Sequence, residues 1–241
     1  MLLRRVTQHV KDQNWFAVAL DFAIVVAGIL IAFQITNWNE ARAENNLKSL
    51  VEKRLIADFE IIDQELHAAV ARMERQLINM EVWRQALRRG SAVESEKESI
   101  INAMAYGASY PSFTSRSVTY QELQTSGQLD LIANEKFRVA LSKYDNGTQQ
   151  RRFNLSELRS VMLSTGYSES KYAESAALKR DENGEFQILP IVGYDFEAMI
   201  ADEDYLKQVE AVIRLQTWIH SNIRGQRRDL DTVLAVIEDL K

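Results

Sequence analysis

The chain has 241 residues, a formal net charge of −5 and no cysteine. Without cysteine there are no disulfides, no thiol catalysis and no cysteine metal site, and an acidic balance without a basic stripe argues against a nucleic-acid partner. Two prolines and nine glycines leave few breaks, which favours helix.

Residues 1–14 form a short tail carrying Arg4, Arg5 and Lys11. Residues 15–38 then read WFAVALDFAIVVAGILIAFQITNW, with no charged side chain from Phe22 to Asn39. A helix needs about 20 apolar residues to cross roughly 30 Å of hydrocarbon, and Trp15 and Trp38 suit the two membrane–water interfaces. The stretch reads as a transmembrane helix, with the lipid bilayer as its surroundings. Ala41-Arg42-Ala43 has the form of a signal-cleavage site, but it lies about ten residues past the apolar core, which favours a retained anchor. The tail has little acid beside its three bases, while the far side of the span mixes Glu40, Arg42, Glu44 and Lys48. The positive-inside rule then places the tail in the cytoplasm and the large domain outside it.

No proline or glycine occurs between Ile29 and Arg89. One helix is therefore expected from Trp15 to Arg89, roughly 110 Å long, with 39–90 as its membrane-proximal part. Phe59, Ile62, Leu66, Ala69, Met73, Leu77, Met80, Trp83 and Leu87 recur at spacings of three and four, an amphipathic stripe able to serve a coiled coil or the chain's own later helices. Arg88-Arg89-Gly90 is a helix stop.

Further helices are expected over Glu94–Tyr106 and Ser117–Ser126, the latter closed by Gly127. Pro111 marks the loop between them. Asn134 can cap a helix with Glu135 in its first turn, running through Phe137, Leu141 and Tyr144 to Met162, with a break at Gly166. Asp181–Gly184 is a turn signal, and Phe186–Val192, with Pro190 inside, reads as a short hairpin or an irregular loop. The last helix starts near Ala201 and runs towards Lys241. Leu206, Val209, Ile213, Gln216, Trp218, Ile219 and Ile223 form one face of it, and Leu230, Val233, Leu234, Ile237 and Leu240 a second, with Gly225 a place for a kink. The fold class is all-α: one N-terminal transmembrane helix, its long amphipathic continuation, and a helical-bundle domain completed by residues 91–241.

The stretch DFAIVVAGILIAFQITNWNEARAE resembles a family of bacterial single-pass membrane proteins with no assigned activity, the DUF6090 family. The pattern is an acidic residue (Asp21), Gly28 to Ala32, Gln34-Ile35, and Asn37 to Glu40. Asp21 and Phe33 stand where the family pattern has glutamate and leucine. A second patch, Tyr120 to Gly127 followed by Leu129, Leu131-Ile132, Asn134, Phe137-Arg138, Leu141 and Tyr144, is also similar. The two cover about a quarter of the chain. The resemblance implies a retained bacterial membrane anchor and supplies no chemistry; with the orientation above, the anchor is expected in the inner membrane and the domain in the periplasm.

Asp21 is an ionisable group inside the span, and such groups are functional candidates. It shares a helix face with Gly28 and Ala32, a small-xxx-small pair that admits a neighbouring helix. Gln34, with Thr36, Asn37 and Asn39, forms a polar exit from the membrane that suits either interhelical hydrogen bonds or an interfacial collar beside Trp38. The alternative for Asp21 is a shallow carboxylate reaching interfacial water. His9, His67 and His220 lack metal-ligand spacing, and no nucleophile elbow or phosphate loop occurs. No catalytic, metal or cofactor site is expected. Tyr106, Tyr110, Phe113, Tyr120, Tyr194 and Phe196 surround expected loops and suit either packing or a ligand pocket. The functional reading is a non-enzymatic membrane protein that binds another protein or its own copies. A periplasmic small-molecule sensor signalling through a partner is the second reading, and an accessory subunit of a proton-driven complex using Asp21 is the third.

Overall fold

The protein, seen here as a computed structural model, is described over residues 15–109, 115–168, 171–177, 180 and 190–240. The expected tail 1–14, Pro111 and the 181–184 turn lie outside them. Helix α1 spans Trp15–Arg89 without interruption. It ends where the sequence supplies a left-handed residue: Gly90 has φ 73°, the Gly90 N–H donates to Leu87 O, and the Ser91 N–H reaches back to Ala86 O. This pair of bonds caps the last carbonyls of α1. A 3-10 turn at Glu94–Glu96 leads into α2 (Lys97–Tyr106), then come α3 (Val118–Ser126), a 3-10 turn at Leu129–Leu131, and α4 (Glu135–Ser164). Ser117 and Asn134 cap α3 and α4, accepting from the N–H groups of Tyr120 and Phe137. Strands β1 (Ala173–Ser175) and β2 (Ile191–Tyr194) pair antiparallel, followed by α5 (Phe196–Ala201) and α6 (Glu203–Leu240). The described residues are predominantly helical, and of the expected hairpin region the described part, 190–192, leads into β2.

The chain divides into two compact units, residues 1–52 and 53–241. In the first, every described side chain up to Leu50 is exposed except the half-buried Lys48. The second holds the core. From Leu55 onward, α1 buries Phe59, Ile62, Leu66, Ala69, Met73, Met80, Trp83 and Leu87. Leu77 is only half-buried, and Gln76 takes the inward place, donating to Ala103 O at 3.4 Å. The stripe packs within its own chain. α6 runs antiparallel to α1, as the Asp63–Arg227, Glu74–His220 and Arg88–Glu210 pairs show. It is also antiparallel to α4: the Arg151 guanidinium lies against Gly225 and Gly147 and pairs with Asp229 at 2.7 Å. A Cβ on Gly147 would stand 2.6 Å from Arg151 Nη1, so the glycines make room for a charged side chain between two helices. Gly225 therefore serves close approach, and α6 is continuous through it.

Residues 115–117 tie three helices together. Arg116 donates to both carboxylate oxygens of Asp145 at 2.8 and 3.0 Å. Ser117 Oγ donates to Asp58 of α1 and Ser115 Oγ to Glu65. The Tyr144 hydroxyl donates to Ser115 O at 2.7 Å, and Gln226 of α6 donates to that hydroxyl and to Thr148. Burial pushes the Tyr144 hydroxyl up to about 12. Each buried polar group here finds a partner, which such a network requires for stability.

Candidate functional site

Two regions merit a functional reading, and each lies within one unit. The first is the exposed helix of residues 15–52. Trp15 and Asp21 are helical, and their side chains lie outside the described part. Gly28 has open space around the position a Cβ would take. Ala32 and Gln34 are exposed, and Ala32 O accepts from Thr36 Oγ1 at 3.0 Å. Trp38 is 63% exposed, with the Arg42 guanidinium 5.7 Å above its ring. At about 100° per residue, Gly28 and Ala32 share one face while Gln34 and Trp38 lie on another. The latter face has a shallow concavity of about 520 Å³ lined by Leu30, Ile31, Gln34, Ile35 and Trp38. Gln34 thus lies on a different face of the helix from the small-residue pair.

The second region gathers around the C-terminal end of α1. Trp83, Tyr167, Tyr172 and Tyr205 form an aromatic cluster with ring centroids 4.8 to 6.3 Å apart. Offset and edge-on pairs of this kind add to the burial of their surface. Lys171 caps the cluster, with Nζ 5.3 Å from the Tyr172 ring. Asp202 holds it there: it accepts from Lys171 Nζ at 2.5 Å, from the Tyr172 hydroxyl at 2.6 Å and from the N–H groups of Asp204 and Tyr205. Its carboxylate therefore caps α6 and anchors the segment entering β1. The bonds from Lys171, Tyr172 and the Tyr205 N–H hold its carboxyl well below the usual carboxylate range. Burial raises the Tyr205 hydroxyl.

An open cleft of about 840 Å³ lies among Gly90, Ser91, Ala92, Tyr194, Phe196, Glu197, Ile200 and Ala201. The Tyr194 and Phe196 rings pair at 6.3 Å. Burial raises the Tyr194 hydroxyl, and the nearby Glu94 and Glu96 carboxylates push it the same way. Aromatic faces among carboxylates suit an organic cation or a basic side chain.

Of the other aromatic residues singled out from the sequence, Tyr120 is core, Tyr106 is exposed, and Tyr110 and Phe113 lie outside the described residues. His9 is also outside them, His67 is exposed, and His220 Nε2 lies 3.7 Å from Glu74. Among the described residues, no group of three or more histidines or carboxylates is arranged to hold a metal ion. Sequence reading missed the Lys171–Asp202 latch. Its one local signal is Asp202 three residues before Tyr205, an N-cap spacing. No family model, no curated protein and no solved structure matches the chain.

Proposed function

We propose that this is a non-enzymatic, single-pass inner-membrane protein with a cytoplasmic N-terminus, whose periplasmic helical bundle binds another protein or its own copies. One observation carries the reading, a contrast within α1. Its apolar window, of mean hydropathy 1.6, is entirely unburied. Farther along, the same helix buries a residue at every third or fourth position. An uncovered apolar helix of this length suits lipid, since soluble proteins rarely expose so continuous an apolar surface. The likeness of residues 21–44 to the DUF6090 pattern belongs to the same proposal. Fractionation tests it: the chain should stay with membranes after alkaline carbonate extraction, and recovery in the soluble fraction would reject it.

The cleft beside Tyr194 and Phe196 favours a second reading, a ligand-sensing domain that signals through a partner. Titration with a small alkylammonium, followed by the tyrosine fluorescence of the intact protein, separates the two. Saturable binding lost in Phe196→Ala supports a sensor.

A further inference from the structure

Residues 39–50 continue α1 beyond the apolar run, and each of their side chains is exposed except the half-buried Lys48. Leu47 and Leu50 are 43% and 54% exposed. A solvent-bridging helix of this kind is expected to be polar all round. This one is not. At about 100° per residue, Asn39, Ala43, Asn46, Leu47 and Leu50 fall within about 100° of arc, and no charged residue of the segment lies among them. Glu40 and Glu44 border that sector on one side and Arg42 on the other, while Lys48 sits behind, bonded to Glu44 at 2.6 Å. The same sector, followed back along the helix at about 100° per residue, contains Gly28 and Ala32.

The geometry points to a second copy of this chain as the occupant of that face, packed parallel and in register from Gly28 to Leu50. Resting on the membrane-anchor reading, this names the partner it leaves open. Charge selects the occupant. In a parallel two-fold pair the acidic border of one helix meets the basic border of the other, so Glu40 and Glu44 face Arg42. In an antiparallel pair acid would meet acid. A shared anchor holds all copies in one orientation at one depth, which brings identical residues level. Gly28 and Ala32 then permit close approach, Leu47 and Leu50 exclude water, and Asn39 and Asn46, seven residues apart, hydrogen-bond to their own counterparts. A buried asparagine at such positions fixes register in parallel coils.

The cysteine-free chain makes the test direct. Single cysteines at Asn46, Leu50, Ala41 and Asn45 are oxidised in native membranes. Disulfide dimers should form about tenfold more at Asn46→Cys and Leu50→Cys than at Ala41→Cys and Asn45→Cys, because the bridge needs Cα atoms within about 7 Å. Arg42→Glu should lower the Asn46→Cys yield, and adding Glu40→Arg with Glu44→Arg should restore it. Equal yields at all four positions, no dimer at any, or adducts only with a different protein would overturn the pairing. Fractionating the same samples keeps the two claims apart. A membrane-bound chain without the periodic yield sinks the dimer alone, and a soluble chain with it sinks the anchor alone.

Discussion

Asp145→Ala should be among the most damaging single changes in the helical domain. The Asp145 side chain is 5% exposed and the Arg116 side chain 16%. Asp145 receives both prongs of the Arg116 guanidinium and a further bond from Gln149 at 2.8 Å. Removing the carboxylate leaves Arg116 largely dehydrated and unpaired. Breaking a buried pair in this way costs about 3–5 kcal/mol. Arg116 has some access to water, which lowers the expected loss to about 2–4 kcal/mol. For a chain of this size that is a fall of about 5–15 °C in Tm. Thermal unfolding of the purified protein in mild detergent, followed by circular dichroism, reads it directly. The double variant Arg116→Met/Asp145→Leu should recover part of the loss, since it strands no charge. A loss below about 1 kcal/mol would put the pair among ordinary surface ion pairs and remove residues 115–117 as the tie between α1, α4 and α6.

Other consequences follow from particular positions. Gly127 closes α3 at φ 70° with open space around it, so Gly127→Ala should cost about 1–2 kcal/mol through backbone strain alone, visible as a lower urea midpoint; an unchanged midpoint would mean α3 ends otherwise. The carboxyl of Asp202 is held low by Lys171, so its contribution is full above the ordinary carboxylate pKa of about 3.9 and is lost as pH falls through the depressed folded value. Asp202→Asn should therefore make stability less dependent on pH below about 4, and an identical acid limb would argue against the latch. Gly28→Leu should weaken self-association by about 1–2 kcal/mol, roughly tenfold, and Asp21→Asn less, because an amide still hydrogen-bonds. Energy transfer between labelled copies in vesicles measures both, and no change in either would leave residues 15–38 as an anchor only.

Much of the architecture was legible because local chemistry decides it. The C-terminal end of α1 follows from unbroken helix formers ended by Gly90, and α4 begins where Asn134 can cap it; Ser117, expected as the first residue of α3, is instead its cap. Inward faces were less legible. Sequence reading favours Leu77 over Gln76 because it is apolar, yet after Met73 and before Met80 the spacing of three then four falls on Gln76, whose amide finds Ala103 O. The sequence places Trp218 on the inward face of the last helix, yet it is 61% exposed because its neighbour Ile219 occupies the buried position. The division between α5 and α6 comes from Asp202, whose side chain caps the second helix. β1 has no alternating pattern in Ala173–Ser175 and depends on a partner many residues away. The aromatic cluster joins α1, Tyr167, Tyr172 and α6, and no periodicity within one segment reveals such an assembly.

If α1 crosses a membrane once with the tail inside, residues 53–241 lie outside the cytoplasm. Because the chain has no cysteine, two single-cysteine variants, Thr7→Cys in the tail and Ser126→Cys in the domain, can be exposed to a membrane-impermeant maleimide on intact spheroplasts. Labelling is expected at residue 126 before lysis and at residue 7 only after it. Labelling at residue 7 with protection at residue 126 would reverse the orientation, and protection of both until lysis would contradict a spanning helix.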